Sequence, residues 1–265
     1  MINVTYQFLT ILVILLNQTV HGYNFSKADQ LFQKRGLGYL ESTTARDEYA
    51  KALKASITED EKIYAISQMS RLDIFRGGML DKTSLSQKKE ALEQCVDNVS
   101  NIKHTKNPAY YYFYTSCVAF RGKLSSSTLG RLKWALKIRS IQSEALASSK
   151  INGQYVGGFE GGGLLRVFSA IRGNVKASTV GLYNPEEALL FAETALQTVA
   201  KKYPPFTDFL SGRDFHENYY YLGQAQLTLA IKKNDISLLD AGRQTLLSAI
   251  ERLSDLQDLE ELPQG

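Results

Sequence analysis

Four stretches of the chain place packing residues at spacings i, i+4 and i+7. They are Ala45, Tyr49 and Ala52; Ala91, Cys95 and Asn98; Ala188, Ala192 and Ala195; and Ala241, Thr245 and Ser248. Positions so spaced share one side of an α-helix, and small residues there let a neighbouring helix come close. Repeated in order, this is the pattern of the second helix of a tetratricopeptide hairpin. Its first-helix counterpart is Tyr219-Tyr220-Tyr221-Leu222-Gly223, an aromatic residue two positions ahead of a Leu-Gly step. The copies are irregularly spaced and further apart than the usual repeat of about 34 residues, so the repeats are expanded and divergent. Proline occurs five times, Pro108, Pro185 and Pro204 at or near helix boundaries, and no long alternating run suggests a strand. The expected fold is all-α, an array of degenerate tetratricopeptide-like helical hairpins.

The apolar stripes predict helices near 26–37, 43–55, 59–76, 85–101, 108–121, 125–148, 164–172, 185–201, 214–232 and 236–253. Thr58 with Glu61 reads as a capping box ahead of Ile63, Ile66 and Met69. Asn107-Pro108 and Asn184-Pro185 each put an N-cap before proline at the first helical position. Gly77-Gly78 and Gly122 read as C-terminal stops.

One segment breaks this pattern. In Gly157-Gly158-Phe159-Glu160-Gly161-Gly162-Gly163-Leu164-Leu165-Arg166, five of the first seven residues are glycine, each costing a helix roughly 1 kcal/mol against alanine. The chain must leave helical geometry and resume it near Leu164, where Val167, Phe168 and Ile171 restore an apolar stripe. Such a loop is either a sharp structural turn or a place where backbone approaches a ligand. A nucleotide cradle is disfavoured, because no Gly-Lys-Ser/Thr follows and no strand precedes.

Residues 1–22 carry no Lys, Arg, Asp or Glu, and Phe8 to Leu16 is an apolar run of secretory length. This predicts a signal peptide over 1–22, cleaved before Tyr23. No cysteine near that point offers a lipid anchor, so a periplasmic location is expected. Residues 23–265 would form a single tetratricopeptide-like α-helical domain with a glycine-rich interruption at 151–163. The formal net charge of +4, with both signs interspersed, is too mild to argue for nucleic acid.

The order of parts resembles the T-component family of tripartite ATP-independent periplasmic (TRAP) transporters. Those proteins combine an export signal, degenerate tetratricopeptide helix pairs, and a glycine-rich segment leading into an Arg-containing helix. A loop and an "EEAL" helix follow. The matching residues are Gly157 to Arg166 and Asn184-Pro185-Glu186-Glu187-Ala188-Leu189, with Ala28 to Phe32 and Ser67 to Leu72 upstream. Leu164-Leu165 stands where the family usually has Pro or a polar residue, and the lipid-anchor cysteine of some members is missing. The resemblance implies a non-enzymatic periplasmic protein that docks the substrate-binding P-component, forms a homo-oligomer and holds a small organic ligand. The alternative is a generic exported tetratricopeptide scaffold for envelope assembly or secretion.

Candidate binding residues fall in three groups. In the glycine segment they are Gly157, Gly158, Glu160, Gly161, Gly162, Gly163 and Arg166. Arg166 would either meet an anion at the helix N-terminus or pair with Glu160 to fix the loop. The run Tyr110, Tyr111, Tyr112, Phe113, Tyr114 wraps more than one face of a helix. A second aromatic group comprises Phe206, Phe209, Phe215, Tyr219, Tyr220 and Tyr221. Both suit either packing between repeats or a cavity or interface. Cys95 and Cys117 stand on successive predicted helices joined by a turn near residue 104. A disulfide and two buried free thiols are both open. His104 and His216 have no metal-ligand partner at helical spacing, and no nucleophile elbow occurs. No catalytic residue, metal or cofactor is expected.

Overall fold

The computed structural model describes residues 24–56, 58–80, 83–151, 158–199, 205–206 and 211–259, with the side chains of 148–151 and 253–259 excepted. The leader 1–22, Gly157 and Phe209 lie outside the described residues. Helices begin where local chemistry satisfies their first N–H groups. Thr58 Oγ1 accepts from Glu61 N at 3.2 Å while Glu61 Oε2 accepts from Thr58 N at 3.0 Å, closing the capping box. Asn107 Oδ1 accepts from Ala109 N at 3.0 Å and Asn184 Oδ1 from Glu187 N at 3.2 Å, each ahead of a first-turn proline.

The described residues hold ten α-helices in five successive hairpins and no strand. The first hairpin is α1 (Ser26–Gln33) with α2 (Tyr39–Ala55), and the second is α3 (Glu59–Ile74) with α4 (Leu85–Ser100). The third is α5 (Pro108–Lys123) with α6 (Thr128–Ile151), and the fourth is α7 (Gly163–Gly173) with α8 (Pro185–Leu196). The fifth is α9 (His216–Lys233) with α10 (Ile236–Leu259). First helices pack on first helices: α3 on α5, α5 on α7 and α7 on α9. The chain is therefore an all-α array of tetratricopeptide-like hairpins. Its largest core gathers Cys95, Val99, Tyr111, Phe113, Trp134, Phe159 and Phe168 from the second, third and fourth hairpins.

Three of the four small-residue repeats face a neighbouring helix: Ala45, Tyr49, Ala52, Ala91, Cys95, Ala188, Ala192 and Ala195 are all buried. The fourth is out by one position. Ala241 is exposed, and Gly242 instead meets Leu227 and Gln226 of α9. Several boundaries also differ. The helix expected over 26–37 ends at Gln33, a 3-10 turn Arg35–Leu37 follows, and α2 opens at Tyr39 rather than 43. Gly77 and Gly78 do not stop a helix. They lie in a π-helical turn, Phe75–Met79, where the Leu92 and Phe120 side chains press on them. Gly122 sits inside the last turn of α5, and α8 ends at Leu196 rather than 201. At Gly78 the Phe120 ring comes from the next hairpin, and at the end of α8 Gly162 and Gly212 crowd Ala195, so tertiary contact overrides local propensity at these two places.

Cys95 of α4 and Cys117 of α5 are joined by a disulfide across their hairpins, with Cα atoms 5.9 Å apart. Closing a loop of this size is worth about 3 kcal/mol in the chain-entropy account. Cys95→Ala with Cys117→Ala should lower the denaturant-derived stability by about that amount. Thiol counting in denaturant without reductant should find none, and a count of two would contradict the bridge.

A buried ion cluster ties α2 to α3. Asp73 is fully buried, and its Oδ1 accepts from Arg46 Nε at 2.7 Å and Arg76 Nη1 at 3.3 Å. Arg76 Nη2 donates in turn to Tyr39 Oη at 2.7 Å. Asp73 Oδ2 is buried with no hydrogen-bond partner and is the atom placed to carry a proton. Burial outweighs the two guanidinium groups and pushes the Asp73 carboxyl up to about 6. An acid raised in the folded state stabilises fully below its unfolded value and loses that contribution as pH rises through the folded one. Between about pH 4 and pH 6 the wild type should therefore lose about 2 kcal/mol relative to Asp73→Asn. Unfolding midpoints across that range, with parallel curves for the two proteins as the contrary result, check it.

Candidate functional site

The glycine segment forms the junction between the third and fourth hairpins. Glu160 (φ 52°), Gly161 (φ 52°) and Gly162 (φ 91°) are consecutive left-handed residues, after which α7 begins at Gly163. Only glycine takes up that conformation without cost, and a glutamate there needs about 1–2 kcal/mol of compensation. Two arginines supply it. The Glu160 carboxylate pairs with Arg71 of α3, while its carbonyl accepts from Arg166 Nη1 at 3.0 Å. Arg166 and Glu160 thus do not pair side chain to side chain.

Space is as demanding as conformation. A Cβ on Gly161 would collide with the Phe215 ring, and one on Gly162 would lie 2.9 Å from Ala195 Cα. On Gly163 it would lie 2.8 Å from the Tyr112 ring. The loop is pressed between α5, the end of α8 and the start of α9.

Arg166 is buried and is spent on this loop. Its Nη1 donates to the Glu160 and Gly161 carbonyls and, at 3.1 Å, to Asn218 Oδ1, and its guanidinium stacks 4.7 Å from the Phe215 ring centroid. Asn218 is fully buried in α9, and its Nδ2 donates to Gly161 O at 2.8 Å and Gly212 O at 2.5 Å. The start of α7 is closed as well: Gly163 N donates to Phe159 O at 2.9 Å. The arrangement is the loop-fixing one. An incoming anion would have to displace the loop from its own arginine.

A chain of rings runs from the first hairpin to this junction. Phe25 meets Tyr64 at 4.9 Å between centroids, Tyr64 meets Phe206 at 6.1 Å, and Phe206 meets Phe159 at 5.0 Å. Phe159 then touches Phe113 and Tyr112. Polar tips face the same series. Asp29 Oδ1 accepts from both Tyr49 Oη and Tyr64 Oη, the latter at 3.0 Å. Burial first, and Asp29 second, push the Tyr49 hydroxyl well above its ordinary value. Burial also raises Tyr112, against the pull of Arg166, and raises Tyr221. Burial raises Tyr64 too, so the Tyr49 and Tyr64 hydroxyls stay neutral and donate to Asp29.

The candidate tyrosines separate by position. Tyr112 reaches the glycine segment, and the partly buried Phe206 bridges it to the second hairpin. Tyr110 meets Tyr111 edge-on and lies tilted against Tyr114 inside the third hairpin. Tyr219 lies under the Arg252 guanidinium at 4.0 Å, and the exposed Tyr220 accepts from Gln224. Neither of these last two joins the junction. Gly158 is buried beside Phe159. Asn218 and Arg71 are the partners that local pattern did not single out. Asn218 stands in the first turn of α9 like any polar residue, and no spacing rule marks it.

His104 Nε2 lies 3.2 Å from Glu59 at the surface, away from the junction. Among the described residues no group of three His, Cys, Asp or Glu side chains could hold a metal ion, and no helix is long and apolar enough to cross a membrane. The chain matches no protein-family model and no curated protein.

Proposed function

We propose that this protein is a periplasmic accessory component of a TRAP transport system, which docks the substrate-binding P-component and performs no catalysis. One observation carries the reading. The glycine segment runs directly into the Arg166 helix at a junction between hairpins, in the order of parts that the T-component family has. The Cys95–Cys117 bridge suits an oxidising compartment, where such bonds persist. The half-buried outer members of the ring series, Phe25, Tyr64 and Phe206, are placed to meet a partner. Arg166 and Asn218 act here as positioning residues, holding the loop at the hairpin junction.

The test is affinity recovery of the tagged protein from its own periplasmic extract, with native mass spectrometry of the eluate. A stoichiometric periplasmic solute-binding protein is the expected result, and the same spectrum gives the oligomer and any bound ligand. Envelope-assembly proteins in its place, or no partner, would discard the transport reading in favour of a generic exported scaffold.

A further inference from the structure

Helix α6 is amphipathic in an unusual way. Its inward side, Trp134, Ala135, Ile138, Ile141, Gln142 and Ala145, is buried, and it packs on α5 and the 3-10 turn Val175–Val180. At about 100° per residue, Leu129, Leu132 and Leu136 fall on the opposite side within about 60° of arc. They are 78%, 39% and 54% exposed. On the same projection Lys133 and Lys137 lie along one flank of this ridge and Arg139 along the other.

The charge there is one-sided. From Arg121 to Ser143 the chain has six basic residues (Arg121, Lys123, Arg131, Lys133, Lys137, Arg139) and no acidic one, although the whole sequence is only +4. The remainder of the protein is therefore net acidic. Arg121 is neutralised by Glu93. Arg131 donates to the Ser125 and Ser126 carbonyls, and Arg139 to those of Val180 and Gly181, which leaves their charge in place. Lys133 and Lys137 lean over the Trp134 ring at 5.6 and 4.6 Å. The next acid in the chain, Glu144, is taken by Lys103 at 3.5 Å.

We infer that the outer face of α6 docks on an anionic phospholipid surface. An apolar ridge between two cationic flanks matches the layering of a bilayer interface, where leucines enter the acyl boundary and basic groups stay among the headgroups. A convex ridge needs a yielding surface, whereas a folded acidic partner would have to supply a groove. This assignment does not rest on the transport reading.

Trp134 lies on the buried side of this helix, so the reporter is a tryptophan placed on the ridge by Leu132→Trp in a Trp134→Phe background. This full-length variant is mixed with vesicles containing phosphatidylglycerol, part of it bromine-labelled, or with phosphatidylcholine vesicles. The ridge tryptophan should be quenched by the labelled anionic vesicles and much less by neutral ones. Quenching of this tryptophan distinguishes α6 from the apolar leader, which carries no tryptophan. Each cation near such a surface strengthens binding roughly fivefold, so Lys133→Gln with Lys137→Gln should weaken it roughly 25-fold. Leu129→Gln with Leu136→Gln should abolish quenching while the circular dichroism spectrum is kept. If that variant misfolds, the lysine pair still decides. Absent quenching, equal quenching by neutral vesicles, or quenching indifferent to the lysine pair overturns the assignment. So does lipid-free self-association, or capture of an acidic protein, that the leucine changes abolish while vesicle binding is unaffected.

Discussion

Asn218→Ala should cost about 4 kcal/mol of folding stability. Asn218 Oδ1 accepts from the buried Arg166 guanidinium, and Nδ2 donates to two carbonyls, Gly161 and Gly212, that come from different segments. Alanine removes all three bonds and refills none. A hydrogen bond to a charged group is worth about 1.5–3 kcal/mol, and the Gly212 carbonyl left without this donor costs about 1–3 kcal/mol, while Gly161 O keeps its bond from Arg166 Nη1 at 3.4 Å. Full burial of Asn218 leaves little room for water to substitute without local opening. Urea or guanidinium unfolding followed by circular dichroism measures the loss. A change below about 1 kcal/mol would show that the triad does not hold the junction. The same variant should be cut faster by protease at the glycine segment, because Arg166 and the Gly161 backbone would lose their common anchor on α9.

Gly212→Ala should be comparably damaging for a steric reason. A Cβ at Gly212 would overlap the Ala195 carbonyl oxygen and lie 2.6 Å from Thr198 Oγ1. Gly212 N donates to Thr198 O at 2.8 Å, so the backbone cannot move away without losing that bond and the Asn218 contact. Overpacking typically costs 1–3 kcal/mol, and the two hydrogen bonds bring the expected loss to about 4 kcal/mol. Gly173→Ala is the control, since its added methyl would meet only the Ala188 Cβ at 3.6 Å. Equal stability of the two variants would refute the close-contact account.

Much of the framework was legible in the chain. The Thr58 capping box, the Asn-Pro starts of α5 and α8, and three small-residue repeats are local patterns, and each appears where expected. Less legible were features that depend on a neighbour. Gly77 and Gly78 were expected to end a helix, yet Leu92 and Phe120 hold them in a π turn. The Val175–Val180 turn carries no strong start signal. It is held by Asn174, by Arg139 at its end and by Arg172, which donates to Leu182 O at 3.1 Å.

At the junction the division has a clear physical basis. Five glycines in seven positions determine by themselves that the helix must break and that backbone approaches something closely, because propensity and Cβ sterics act within a few residues. Which group approaches, and which charge faces which, depends on how the hairpins stack. Glu160 finds Arg71 at a separation of 89 residues, and Arg166 finds Asn218 at 52. No periodicity encodes such pairs. Only the tertiary structure, by carrying α3, α7 and α9 to one place, turned Arg166 from a candidate anion contact into the clamp of its own loop.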